Sequence, residues 1–135
     1  MILVAGLPAS GKSTWARMNF QHVLEFDSFA EKLGSYEDLE EERGLVLRQF
    51  ALLASLGGCE AVVDTFHSIE SRKRILDACP SAGIVIIDTP LEICLQRNAQ
   101  RNSFVSNNEI EMIATNIEPI SEDEGFSFIR IVKGW

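Results

Sequence analysis

Eight consecutive residues carry the plainest chemistry in this sequence. Gly6-Leu7-Pro8-Ala9-Ser10-Gly11-Lys12-Ser13 sets a glycine, four variable positions, then glycine, lysine and serine. Gly6 and Gly11 let the backbone wrap closely, through dihedrals that a side chain resists. The amides of such a loop, with those of a helix starting behind it, point into one concavity and favour an anion. Lys12 adds a positive charge suited to β- and γ-phosphates, and Ser13 a hydroxyl suited to Mg2+. Thr14 either touches an α-phosphate or is only a hydroxyl on the helix. Trp15 reads as a packing residue rather than a base platform. A strand precedes the loop and a helix follows it, which is the context the motif requires, so a ligand-free glycine turn is the weaker reading. The implied ligands are ATP, held by residues 6–14, and Mg2+. The loop does not say what receives the phosphoryl group.

The remaining charged positions bear on that. Asp27 closes the run LEFDSF at the end of a short apolar segment. A carboxylate there can take the proton of an attacking hydroxyl, as a base does in phosphoryl transfer. It can equally cap a helix from Ser28 onward. Asp64 closes AVVDT and Asp88 stands in IVIIDT. If the strand before Asp64 neighbours the first strand, Asp64 lies beside Ser13 and helps hold magnesium, so it is preferred for the metal. Asp88 is then expected to cap or orient the turn at Thr89. Arg97 and Arg101 lie four apart, on one helix face, in RNAQR. Their guanidinium groups can converge on a polyanion and stabilise the transferred phosphate. The bland alternative is a pair of favourable cations at a helix C-terminus, worth ~0.3–1 kcal/mol. Arg72-Lys73-Arg74 is a short basic run that reads as a solvated helix face, with a nucleic-acid phosphate contact as its alternative. His22 and His67 show no ligand spacing, although His67 is near enough to Asp64 to touch a substrate.

The elements that must position these groups alternate along the chain. Met1–Ala5 is a continuous apolar run suited to a strand covered on both faces. A helix is expected over Lys12–Asn19, a short strand over Val23–Phe26, and a long helix over Ser35–Leu56. Ser35-Tyr36-Glu37-Asp38 resembles a capping box there, Leu39, Val46, Phe50 and Leu53 recur at helical spacing, and Gly44 weakens the middle. Strands follow at Ala61–Val63 and Ile84–Ile87, with a helix over Ile69–Ala78 between them. Thr89-Pro90-Leu91-Glu92 reads as a helix start, with Thr89 as cap, running to about Asn102. Asn102–Asn108 is polar and aperiodic, as a mobile lid would be. Residues 107–116 are expected to be helical and Phe126–Val132 to form the last strand. Such alternation implies an α/β fold, a doubly wound parallel sheet of about five strands with helices on both faces; the phosphate-loop motif makes it a P-loop NTPase, and a nucleoside-kinase-like form of it is what the family resemblance given below implies. Ligands bind at the carboxyl ends of strands on such sheets, where Asp27, Asp64 and Asp88 all fall.

Composition narrows the field. The chain has 135 residues, 46% of them hydrophobic, which suits one packed domain spanning residues 1–135. With 20 acidic against 12 basic residues the net charge is −8, so a broad basic face for nucleic acid is excluded and any such contact must be local. Cys59, Cys79 and Cys94 are scattered, which argues against disulfides or zinc and fits a cytoplasmic location with the thiols in the core. No apolar run is long enough to cross a bilayer, and no protein partner is evident.

GLPASGKSTWAR, FDSF, VVDT and RNAQR together resemble the kinase module of 5′-polynucleotide kinases and related small P-loop kinases, the AAA/zeta-toxin-like group. The tail NIEPISEDEGFSFIRIV, residues 116–132, resembles the end of that wider family. The likeness spans nearly the whole chain, although only the phosphate loop is highly specific. It implies that Lys12 and Ser13 serve phosphates and metal, that Asp27 is the general base, that Arg101 is the lid arginine, and that Asp64 is the aspartate near the catalytic centre. One departure stands out: the family commonly carries an arginine three residues after the base, where this chain has Ala30, with Lys32 two residues on. The implied activity is Mg2+-dependent transfer of the γ-phosphoryl group to a hydroxyl of a nucleic acid or nucleoside, a polynucleotide 5′-hydroxyl being the nearest analogy. A hydroxymethylated base in DNA and a free small molecule compete as acceptors. A nucleotide-binding switch or ATPase without an acceptor is the rival of a different class, and a degenerate interaction module ranks last because the loop is intact.

Overall fold

A computed structural model describes residues 1–26, 56, 58–101 and 105–135. Asp27, Ala30, Lys32, residues 102–104 and all of the expected 35–56 helix except Leu56 lie outside them. The first apolar run forms strand β1, Ile2–Ala5. It is followed by helix α1, Lys12–Asn19, and strand β2, Val23–Glu25. Strand β3 covers Ala61–Val63 and helix α2 Ile69–Ala78. Then come strand β4, Gly83–Asp88, helix α3, Leu91–Gln100, helix α4, Asn107–Asn116, and strand β5, Ile129–Lys133. All five described strands join one sheet in the order β2-β3-β1-β4-β5, and every pairing is parallel.

The apolar runs explain this arrangement. A strand inside a parallel sheet is covered on both faces, so both of its side-chain sets must be apolar. Leu3 and Ala5 pack on one face with Val62, Ile84 and the Ile75 and Leu76 side chains of α2. Val4 points the other way, with Ala61, Val63, Val85 and Ile87, against Ala16 of α1. Each fully buried Leu, Ile or Val in these two layers contributes ~1.5–3 kcal/mol of transfer free energy. Strand order reverses about β1, whose neighbours are β3 on one side and β4 on the other. The crevice at its carboxyl end is therefore the expected ligand position of an open α/β sheet. Gly6 begins the phosphate loop at that point.

Helix starts follow local chemistry in two cases and depart from it in one. The Ser68 hydroxyl accepts from the Ser71 amide at 3.1 Å and caps α2. The Ser106 hydroxyl accepts from the Glu109 amide at 3.2 Å and caps α4. Asn107 and Asn108 therefore open a helix and do not continue the expected lid. At α3 the expected threonine cap is replaced: Pro90 occupies the N-cap and no side chain caps the helix. The Thr89 hydroxyl is engaged elsewhere, as described below. Among the described residues, no helix is long and apolar enough to cross a membrane.

Candidate active site

The phosphate loop leaves β1 in a tight wrap. A Cβ on Gly6 would stand 2.6 Å from Ser10 Oγ and 3.0 Å from the Ile87 carbonyl, so the loop closes over its own start. The Ser10 amide donates to the Leu7 carbonyl at 3.0 Å. Ala9 and Gly11 both adopt left-handed dihedrals, with φ of 66° and 97°. Gly11 is the N-cap of α1; no side chain caps that helix and no acidic residue lies in its first turn. The first amides of a helix have no carbonyl partner within it. An uncapped N-terminus with no acidic residue in its first turn therefore presents positive potential to an anion. Lys12 arches back over the loop, its Nζ donating to the Leu7 carbonyl at 3.2 Å. Ser10 is fully buried, and its Oγ finds no hydrogen-bond partner among the described residues. Loop wrap, helix terminus and lysine together fit a bound triphosphate chain.

Beside this cradle lies a cleft of about 620 Å3. Thr14, Trp15 and Met18 of α1 line it, with Arg97 and Arg101 on the α3 side and Lys133–Trp135 after β5. The Lys133 ammonium sits 4.4 Å from the centre of the Trp135 ring. Trp15 does pack as expected, edge-on to Phe20 with 5.9 Å between ring centres, and it also faces the cleft. The segment Lys133–Trp135 carries no sequence motif and was not anticipated. Only the strand order could have revealed it, since β5 beside β4 brings residue 134 to the edge where the loop begins.

Arg97 and Arg101 both line this cleft, but not as a pair on one helix face: α3 ends at Gln100 and Arg101 is its extended C-cap, one residue past the helix. Arg97 Nη1 donates to the Ser10 carbonyl at 3.2 Å and to the Ala9 carbonyl at 3.5 Å, while Nη2 donates to the Gly134 carbonyl at 3.0 Å. It braces loop and strand end against each other. Arg101 is exposed, and its Nε donates to Asn98 Oδ1 at 3.2 Å. Asn98 is buried and donates onward to the Val105 carbonyl at 2.9 Å and to Asn107 Oδ1 at 2.8 Å. Cys94, on the buried side of α3, lies against the Thr89 carbonyl; burial pushes its thiol up from the ordinary value and keeps it a neutral packing group.

Of the three expected carboxylates, Asp27 lies outside the described residues. Asp64 directly follows β3, which pairs with β1, so the condition for placing it beside the phosphate loop is met. It is 3% exposed, and its amide donates to the Val4 carbonyl at 3.3 Å. Asp88 does not cap the helix after Thr89, since Pro90 is the N-cap of α3 and no described side chain caps it. Its carbonyl accepts from the Gly134 amide at 2.9 Å, so its backbone anchors the end of β5.

The basic run is also corrected. Arg72 is 3% exposed, not solvated. Its Nε donates to Glu124 at 2.7 Å and its Nη1 to the Phe66 carbonyl at 2.8 Å, with a further bond to the Glu118 carbonyl at 3.1 Å. Sequence spacing cannot reveal this, because Glu124 is 52 positions away. Arg74 makes a helix-surface pair with Glu70. The His67 carbonyl accepts from the Glu118 amide at 2.8 Å, and His67 lines a small cavity of about 90 Å3 with Gly6, Thr65 and Arg72. Among the described residues, no three His, Cys, Asp or Glu side chains gather as a metal cluster. Ser13 and Asp64 fit a magnesium ion that takes most of its oxygens from phosphates and water, the usual mode for that ion.

A family model described as an AAA domain matches residues 1–119. No curated protein matches the chain. Among solved structures, the fold matches a sugar kinase from Janibacter sp. HTCC2649 with a TM-score of 0.78 and 19% identity, covering 98% of this chain and 84% of that one. It also matches a gluconokinase from Sinorhizobium meliloti 1021 with a TM-score of 0.67 and 16% identity, covering 98% of this chain and 81% of that one. The five-stranded parallel sheet is thus the fold of P-loop kinases.

Proposed function

We propose that this chain, which belongs to the AAA-domain family, is an ATP-dependent kinase that phosphorylates a hydroxyl of a small, hydroxyl-bearing molecule. The observation that carries the reading is the intact phosphate loop, Gly6–Ser13, opening onto a cleft large enough for a nucleoside and walled by two arginines. A switch or ATPase uses the same loop and can use arginine on the transferred phosphate as well, so stimulation by an acceptor is what separates it from a kinase.

Each residue then has a task. The loop amides and the α1 terminus bind the triphosphate, and Lys12 exchanges its contact with the Leu7 carbonyl for phosphate oxygens. Magnesium, when bound with ATP, neutralises charge on the phosphates. Ser13 and Asp64 would hold it. Arg101, the more exposed arginine, meets the negative charge that spreads over the transferred group, and Arg97 supports the loop beneath it. Asp27 takes the proton of the acceptor hydroxyl as its oxygen bonds to the γ-phosphorus and the bond to the β,γ-bridging oxygen breaks. ADP and a phosphate monoester leave.

Three observations support a small acceptor. The basic run that a nucleic acid would need loses Arg72 to the interior, and the net charge is −8. The two fold neighbours carry the names of a sugar kinase and a gluconokinase. The sequence resemblance to polynucleotide kinases keeps a 5′-hydroxyl end in the test. Labelled γ-phosphate transfer is measured over sugars and sugar acids, nucleosides, 5′-hydroxyl oligonucleotides and base-hydroxymethylated DNA. Transfer to a sugar or sugar acid supports the reading. Transfer confined to oligonucleotides or modified DNA replaces the acceptor, and hydrolysis that no acceptor stimulates overturns the kinase.

A further inference from the structure

We infer that Thr89 is a positioning residue for the phosphate loop: its buried hydroxyl, together with Arg97 and the bare backbone of Gly134, fixes the Ser10–Gly11 peptide in the conformation that receives a triphosphate. This rests on the reading of the loop as a nucleotide site and names a residue on which that site depends.

The geometry is specific. Thr89 Oγ1 donates to the Ser10 carbonyl at 2.7 Å, across 79 positions of sequence. The same carbonyl accepts from Arg97 Nη1 at 3.2 Å. Thr89 is 6% exposed and Ser10 fully buried, so water is not on hand to replace a lost donor. Ala9, immediately before, holds φ at +66°, a conformation that a residue with a Cβ resists. Such a backbone persists only where its surroundings over-determine it. The surroundings here are the end of β4, the α3 arginine and the end of β5.

Gly134 completes the junction. A Cβ on it would fall 2.0 Å from Thr89 Oγ1 and 2.6 Å from the Ser10 carbonyl oxygen, so the strand end seats directly against the hydrogen-bonded pair. Its amide is fixed by the Asp88 carbonyl at 2.9 Å, and its carbonyl by Arg97 at 3.0 Å. Thr89 stands just before a helix, where a threonine would ordinarily cap the first turn. The N-cap of α3 is Pro90 and no side chain caps it. The hydroxyl therefore serves the loop in place of its own helix.

The test compares Thr89→Val, which keeps the shape and removes the hydroxyl, with Thr89→Ser, which keeps the hydroxyl. The measurements are the KM for Mg·ATP and kcat, calorimetric affinities for tripolyphosphate with Mg2+ and for adenosine, and the melting temperature. Thr89→Val is expected to raise the KM and the tripolyphosphate Kd about three- to tenfold, the loss of one neutral hydrogen bond. Adenosine affinity and kcat stay within about twofold, and Thr89→Ser restores the wild-type values. If Thr89→Val does not fold, Thr89→Ala carries the same comparison. A lower melting temperature with unchanged triphosphate affinity overturns the inference, as does an equal loss for adenosine and tripolyphosphate. Wild-type protein that binds neither ATP nor tripolyphosphate overturns the nucleotide-site reading itself, and this inference falls with it.

Discussion

A single methyl group at position 134 probes how tightly the active-site edge is assembled. Its nearest neighbours would be a threonine hydroxyl, a loop carbonyl and the Ile87 side chain at 2.7 Å, and backbone cannot swing aside as a flexible side chain can. Gly134→Ala is expected to destabilise the fold by ~1–3 kcal/mol, the usual cost of overpacking, and to weaken nucleotide binding at the same time. Denaturant titration with and without ATP measures both, and an unchanged midpoint would mean that the junction yields easily. Asp27→Asn addresses the chemistry instead. An amide of the same shape cannot take a proton, so the variant should bind ATP normally and lose transfer by ~10²–10⁴-fold. Retained transfer would remove Asp27 from the role of base. At this scale the sequence was legible where a motif is contiguous: Gly6–Gly11 wrap as a tight loop over their own start, with α1 beginning at Lys12. It was silent where a role is set by a partner far along the chain. Thr89 looks like a helix cap until Ser10 is seen beside it, and Arg72 looks solvated until Glu124 is.

Elements read more faithfully than residues. The boundaries of α1, β3, α2 and α4 coincide with the apolar periodicity and its punctuation, because capping serines, a proline and glycines end these segments locally. The last strand begins at Ile129 rather than Phe126, since regular pairing starts where Ile129 meets Ile84. Between elements, one contact stands out. Arg72 joins α2 to the segment 118–124 and to the Phe66 carbonyl; Phe66 itself holds φ at +48° in the connection that follows Asp64. The Arg72 and Glu124 side chains are 3% and 9% exposed, so the pair is desolvated and its charges are compensated mainly by each other. Arg72→Met should cost ~3–5 kcal/mol, because it leaves the Glu124 carboxylate buried without its cation. Adding Glu124→Gln should recover part of that loss. Denaturation midpoints of the two single variants and the double variant give the coupling, and strictly additive losses would show that the clamp does not act as a pair.

For the molecule as a whole, topology sets the site and net charge bears on the proposed acceptor. The strand order puts the loop, Asp64 and the strand end at Gly134 along one edge of the sheet, so the site is assembled by the fold itself. Around it the chain carries a net charge of −8, which repels a polyanion at long range. A nucleic acid would have to be held by phosphate contacts, each releasing counterions. A protein making six to ten of them loses ~10³–10⁵ in affinity between 50 and 200 mM salt. A small acceptor held by hydrogen bonds at a preformed edge carries no such term. Acceptor KM is therefore expected to change by less than about threefold over that salt range, because screening at short range is weak. The comparison is made at saturating Mg·ATP, so that salt effects on the triphosphate, itself a polyanion, do not enter. A steep rise in acceptor KM with salt would return the polynucleotide to first place, and would require a basic surface outside the described residues, where Lys32 is the first cation to replace.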